Sequence, residues 1–386
     1  MMFFLAACSK NGTTPQIKIN NFSPANGGPG NTVTITGSGF GTTTNGATVY
    51  FNGIAAKPDS VRDSIIIVRV PAGATTGKIS LSINGQNATA TNDFIILPGA
   101  WIRMADLPIL GGRGLGAGFS IAGKGYFGMG YDGGRYKNDL YQYDTATNAW
   151  TQMASSPGPI LESPVCMVIG NMSYIGIGKT LGTNGSVSSN QLWQYDPQNN
   201  NWTRKADLPD TLQEGAFGAG IGSVGYAGLS VGTFGTKGWW QYNPANDMWT
   251  RKADYPGSES QSGTGFALNG KIYNGLGNTS GVGGNNQWWQ YDTATDSWAA
   301  KNSFPGNVPL FGAAFTLSGK GYVAGGYECW KYDDTGDTWT QVAFFDFRVG
   351  GSCFVIGNKA FYTGGRTGPP PNNFLQKDLW EFDPTK

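Results

Sequence analysis

The sequence predicts an all-β chain: an immunoglobulin-like β-sandwich over residues 15–98, followed by a six-bladed β-propeller over residues 99–386. Three observations predict it. Residues 15–98 alternate short β-branched runs with Asn-Gly and Pro-Ala-Gly turn signals. Beyond them, Trp101, Trp150, Trp202, Trp249, Trp298 and Trp339 recur at spacings of 49, 52, 47, 49 and 41 residues. Finally, 61 glycines and 13% aromatic residues, with no collagen period, suit short strands and tight turns.

Composition then removes whole classes of function. The chain has no histidine, which excludes Ser-His-Asp and Cys-His mechanisms and every His-ligated zinc, copper or iron site. Its 26 basic and 25 acidic residues leave a formal charge of +1, so no basic face for nucleic acid is expected. Carboxylate, Tyr, Lys and Arg chemistry stays open. No metal or cofactor is implied.

Residues 1–14 read as a truncated signal and tether. Leu5-Ala6-Ala7-Cys8 resembles a bacterial lipobox, which implies lipidation of Cys8 and an outer-membrane lipoprotein, periplasmic or surface-exposed. Seven residues precede Cys8 and none is basic, so the true start is expected upstream. No other stretch is apolar enough to span a bilayer, which makes the lipid the sole membrane contact. Cys166, Cys329 and Cys353 show no disulfide spacing, and the first and last sit in apolar runs. All three are expected as free, structural thiols.

The sandwich strands are expected at residues 32–36, 47–51, 64–70, 78–83 and 93–97. Ile19 to Pro24, Gly28-Pro-Gly30, Thr34 to Gly41 and Val70-Pro-Ala-Gly73 resemble the IPT/TIG domain. In Gly37-Ser-Gly-Phe-Gly41 the glycines imply a bulged strand end, with Phe40 plugging the core. No helix follows to make this string a phosphate loop. The resemblance implies a spacer rather than a binding domain.

The propeller repeat carries three landmarks. One is the tryptophan phrase, as in Trp202-Thr-Arg-Lys-Ala-Asp-Leu-Pro209. A second precedes it, as in Leu140-Tyr-Gln-Tyr-Asp144 and Leu192-Trp-Gln-Tyr-Asp196, with six residues from its Asp or Asn to the next Trp. That fixed gap predicts a hairpin, in which side chains of the intervening turns, Thr145 to Asn148 and Pro197 to Asn200, are expected to cap local amides. The third is an aromatic–glycine strand, as in Tyr126-Phe-Gly-Met-Gly130 and Phe361-Tyr-Thr-Gly-Gly365. Together these resemble the Kelch motif. The Trp101 strand lacks three partners and the C-terminal repeat lacks its fourth strand, so the two ends are expected to complete one blade. Most tryptophans then serve as packing wedges between blades.

A ligand is expected at loops around one mouth of the central channel. The loop before each inner strand offers Arg113, Glu162, Glu214, Gln261, the Leu310-Phe311 pair and Arg348. The Kelch pattern often places an arginine there. The loop after each aromatic–glycine strand offers Tyr131, Lys179, Val231, Asn278, Tyr327 and Arg366. Arginine forks suit carboxylates. Solvated loop residues that pair among themselves would look the same in sequence. Two functions fit. One is a non-catalytic envelope binder or scaffold for a glycan or protein partner. The other is a sugar-acid mutarotase or epimerase, a class that the Kelch resemblance includes, with Glu162 and Glu214 as an acid–base pair. A copper oxidase of this fold is excluded by the missing histidine.

Overall fold

The tryptophan phrase folds as the outer strand of a four-stranded antiparallel sheet, because the six-residue gap upstream of it closes as a tight hairpin. The computed structural model describes residues 16–182, 185–210, 215–230, 236–258, 263–279, 283–307, 311–368 and 374–384. The chain divides into two compact units at the Pro98–Gly99 junction. Cys8, Glu214, Gln261, Leu310 and Val231 lie outside the described residues.

The first unit is the sandwich. One sheet orders its strands Lys18–Ser23, Thr32–Ser38, Ile65–Arg69 and Pro58–Arg62. The other orders Asn26–Gly27, Gln86–Ile96, Gly77–Ile83, Ala47–Phe51 and Ile54–Ala56. Alternate side chains of both, among them Val33, Ile35, Val49, Ile66 and Ile79, share one core. Phe40 is buried in it, with Gly39 and Gly41 at positive φ on either side. The register shift falls on the partner strand, between Ile19 and Asn21, rather than on the glycine string. Gly37 is required for another reason: a Cβ there would stand 1.9 Å from the Lys18 carbonyl oxygen.

The second unit is a β-propeller of four-stranded sheets. Four of its sheets are separate, beginning with the inner strands Ala117–Ile121, Val165–Ile169, Phe217–Ile221 and Thr264–Leu268. The fifth and sixth repeats run together as one seven-stranded sheet. The continuous strand Thr338–Ile356 joins them. Elsewhere the outer strand ends at Met104, Met153, Lys205, Lys252 or Lys301, four residues before a proline that could not continue a ladder (Pro108, Pro157, Pro209, Pro256 or Pro305); Asp346 stands at the proline's place here. The strand Ala100–Met104 pairs with Leu379–Asp383, so residues from the two ends of this unit share one sheet.

Neighbouring sheets are joined by a contact that repeats five times. The indole nitrogen of Trp150 donates to the carbonyl of Ala105 (3.0 Å), and Trp202 donates to Ala154 (2.8 Å). Trp249, Trp298 and Trp339 do the same to Ala206, Ala253 and Asn302. The amide of each gripped residue in turn donates to the turn residue two positions before that tryptophan: Asn148, Asn200, Asp247, Asp296 or Asp337. The same oxygen accepts a buried tyrosine hydroxyl, at 2.7 Å for Tyr143 and 2.9 Å for Tyr195. All five turn residues have φ between 49° and 56°, a region Asn and Asp tolerate better than most residues. The expected local capping falls to a different residue: Asp144 Oδ1 accepts the Ala146 amide, while Asn148 reaches across to the next sheet.

The junction with the terminal strands is built differently. Trp101 Nε1 is buried without a hydrogen-bond partner, and the Gly99 amide donates to the Val342 carbonyl at 2.8 Å. Stacking substitutes for the missing grip: Trp101 lies 4.4 Å from Phe345 and 4.9 Å from Phe382, centroid to centroid.

Two stability effects follow. Asn200→Ala removes the acceptor for Tyr195 and Ala154 together and is expected to cost about 2 kcal/mol or more, seen as a Tm lower by several degrees. Trp202→Phe removes one bond and is expected to cost about 1 kcal/mol. An unchanged melt for Asn200→Ala would show that the grip contributes nothing. The second effect concerns pH. Burial opposes the charge of Asp296, but the Ala253 amide, the Tyr291 hydroxyl and Lys252 outweigh it and hold the carboxyl below its ordinary value. Its contribution is therefore full above the unfolded carboxylate range, about pH 4, and is lost as pH falls through the lower folded value. Melts at about pH 5 and about pH 2.5 should show a smaller loss for Asp296→Asn than for the natural chain.

Candidate functional site

The residues that lead into the inner strands meet around one small cavity. Gly116, Ser163, Ala216, Gly263, Phe311 and Gly351, one from each repeat, line about 120 Å³ of space. Its rim is strained. Leu115, Ser163 and Phe311 have φ of 56°, 51° and 50°. Such conformations persist where neighbours over-determine them. Here a backbone collar does so: Gly350 N donates to Phe311 O (3.1 Å), Leu115 N to Gly350 O (2.7 Å) and Ser163 N to Leu115 O (2.8 Å). At about 120 Å³ it falls below the roughly 300 Å³ at which small-molecule pockets begin.

Two of the rim residues expected to hold a ligand are committed elsewhere. Arg113 is 2% exposed and forks onto Asp139, at 2.5 and 2.9 Å, with a further bond to the Met129 carbonyl. Arg348 is 3% exposed and pairs with Asp378, which also accepts the Trp380 indole at 2.8 Å. Arg348 lies within the Thr338–Ile356 strand, not in a loop. These guanidiniums lock the start of the third strand of their own repeat to the approach to the first. The signal for this was present in the sequence. Only the two repeats with Arg at this position carry Asp immediately before the third-strand phrase; the others have Gln191, Gly238, Gln287 and Glu328.

Glu162 and Lys179 exchange backbone hydrogen bonds at 2.9 and 3.2 Å, and their side chains form an ion pair at 3.4 Å. Lys179, Asn278, Tyr327 and Arg366 were expected in loops, but all four lie in strands: Met172–Gly182, Asn278–Thr279, Lys320–Asp333 and Lys359–Thr367. The second loop class is thus largely extended ribbon. Tyr131 bridges Gly114 and Tyr136 and donates its hydroxyl to the Gly133 carbonyl at 2.7 Å. Tyr327 is 57% exposed, with its ring 5.0 Å from that of Phe347. The first glycine of the aromatic–glycine strand is needed within its own sheet: a Cβ on Gly128 would stand 2.2 Å from the Asp139 carbonyl oxygen.

Residues 18–95 match the IPT/TIG domain family, and residues 130–157 match the Kelch motif. The chain carries an IPT/TIG domain and a Kelch motif. Over 109 residues it is 31% identical to the N-acetylneuraminate epimerase of Yersinia enterocolitica, a match covering 27% of this chain and 26% of the relative. Over 91 residues it is 42% identical to a cyclomaltodextrin glucanotransferase of a Bacillus species, covering 22% of this chain and 12% of that enzyme. The chain thus spans about a quarter of the first relative and about an eighth of the second. The second unit's fold has a solved counterpart, "Structure of YjhT", with a TM-score of 0.62, 14% identity and coverage of 72% of this chain and 96% of that one.

A second cavity, about 420 Å³, opens between the first two propeller sheets, lined by Tyr126, Gln142, Lys124, Asn171, Met172 and Gln198 among others. Some of its polar groups are already paired: Gln142 donates to the Tyr126 hydroxyl at 2.6 Å, and Lys124 holds Asp144 at 2.6 Å. Among the described residues no group of acidic residues and cysteines is arranged to hold a metal, and no helix is long and apolar enough to cross a membrane. Cys166, Cys329 and Cys353 are free. Burial pushes the Cys166 thiol up to about 12, and pushes up Cys329 and Cys353 as well. These three thiols are therefore expected to resist alkylation near pH 8 in the native protein and to react after unfolding.

The Arg113–Asp139 pair gives the sharpest structural test. Asp139→Asn or Arg113→Met leaves one buried partner unmatched and is expected to cost about 3–5 kcal/mol, while an Arg113→Met, Asp139→Leu double variant should recover much of that loss. Denaturant melts of the three variants would measure it. Independent, additive losses would mean the pair is not coupled.

Proposed function

We propose that the Kelch propeller binds an acidic sugar at its rim and interconverts its anomers, as an enzyme of the N-acetylneuraminate epimerase kind. The observation that carries this reading is the 31% identity to that epimerase over 109 residues. The Glu162–Lys179 pair supports it chemically. Anomers of a ketose acid exchange through the open chain. A base takes the proton of the anomeric hydroxyl, an acid protonates the ring oxygen, and the bond between the anomeric carbon and that oxygen breaks to leave a ketone. Rotation and the reverse transfers close the ring on the other face. Glu162 is buried (7% exposed) and its carboxylate would accept the proton, while the partly exposed Lys179 ammonium would donate one. The chemistry needs no histidine, metal or cofactor.

The test is exchange spectroscopy by NMR on N-acetylneuraminate with the full chain. Acceleration over buffer is expected, with Glu162→Gln slowing exchange by about a hundredfold or more at unchanged Tm. No acceleration by the natural chain would overturn the enzymatic reading.

A second reading is a lipid-anchored envelope binder. The burial of both Arg113 and Arg348 in ion pairs favours it, because it leaves the rim fewer charges for chemistry. Binding of a glycan or envelope protein without anomer exchange would support it, as would mass-spectrometric detection of diacylglycerol on Cys8.

A further inference from the structure

In a chain this poor in charge, the arginines of the propeller are almost all spoken for. Arg103, Arg113, Arg204, Arg251 and Arg348 each pair with an aspartate. Among the described residues of this unit, Arg366 has no carboxylate partner, and it is only partly exposed. Arg135 also lacks one, but it sits exposed on the turn that Asp132 caps.

Strand register says what surrounds Arg366. It lies directly across from Val349 on one side and Leu375 on the other. Val349 adjoins Gly350, which lines the central cavity. Side chains two apart along a strand share a face, so Phe347 and Val349 point the same way as Arg366. The burial of this strand agrees: Arg348 and Gly350 are buried, while Phe347 and Val349 are partly exposed. Phe347 precedes Val349 by two residues, at the point where the register against Lys320–Asp333 shifts, and so sits near Arg366 without being paired to it. The exposed Tyr327 ring packs against Phe347. A guanidinium with no carboxylate partner and an exposed tyrosine ring thus stand on the two strands that flank the one carrying Phe347.

We infer that Tyr327, Phe347 and Arg366 form an acidic-sugar subsite at the rim, in which Arg366 forks onto the sugar carboxylate and the Tyr327 ring stacks on the apolar face of the pyranose. A planar fork suits a carboxylate, and ring stacking suits the C–H face of a sugar. The inference rests on the acidic-sugar reading above and supplies its anchor. Arg366 and Tyr327 hold the substrate, while the proton transfers occur elsewhere on the rim.

The probe is the methyl α-glycoside of N-acetylneuraminate, which has no free anomeric hydroxyl and cannot change anomer. Its methyl ester is the uncharged control. Saturation-transfer NMR and titration of the full chain should show the glycoside bound at least about tenfold more tightly than the ester, the value of one charged hydrogen-bonded contact. Arg366→Gln should weaken the glycoside to the level of the ester at unchanged Tm, and Arg366→Lys should restore part of the difference. Tyr327→Ala should weaken glycoside and ester alike. Equal binding of the glycoside by the natural chain and Arg366→Gln would overturn the subsite, as would no binding at all. Anomer exchange that persists in Arg366→Gln with unchanged KM would leave the enzymatic reading standing and remove only this site. Arg366-dependent glycoside binding without anomer exchange would do the reverse.

Discussion

The propeller depends on one repeated grip. A tryptophan indole and an Asn or Asp oxygen, two residues apart on one hairpin, take the carbonyl and the amide of a single residue in the neighbouring sheet. Sheets packed face to face by apolar side chains alone could slide, since the hydrophobic effect has no direction. Two hydrogen bonds to one residue fix the register of each sheet against the next. The left-handed turn residue is what aims the second bond, and the buried tyrosine hydroxyl holds that residue in place. The six-residue gap between the two landmarks is constant because any other length would break this geometry.

Fixing the sheets also fixes the rim. The collar at Phe311, Gly350, Leu115 and Ser163 is made of backbone bonds between successive repeats. It tolerates left-handed Leu, Ser and Phe because the sheets beneath cannot relax. The collar narrows the channel to about 120 Å³. Loops that were expected to be irregular instead continue as paired ribbon, as at Lys179 and Arg366, so rim side chains stand on ordered backbone. Ordered support of this kind limits how far a binding side chain can stray.

Charge at the rim divides by burial. The guanidiniums of Arg113 and Arg348 are desolvated, and only their aspartates make that tolerable. Each pair ties the approach to the inner strand to the start of the third, which is a structural task. Glu162 is buried too, but against a Lys179 that is partly exposed, and Arg366 is partly exposed with no carboxylate partner among the described residues. The division matters for function because a guanidinium already forked onto a carboxylate has little left to offer a second one.

The all-β class, the IPT/TIG segment, the tryptophan period and the pairing of residues near Trp101 with those near Trp380 could all be read from the chain. Period, turn chemistry and alternation are local, and they repeat often enough to outweigh noise. The identity of the partner of each side chain could not be read so directly. Asn148 looked like a local cap and serves the next sheet; Arg113 looked like a ligand contact and serves its own. The fusion of the last two repeats hangs on Asp346 replacing a proline, and the placement of Phe347 beside Arg366 hangs on strand register. Residue types and spacing determined which groups this protein possesses and where along each repeat they recur. Which of them are neutralised in the interior and which face solvent was decided by tertiary packing, because burial and partnership belong to strands far apart in sequence.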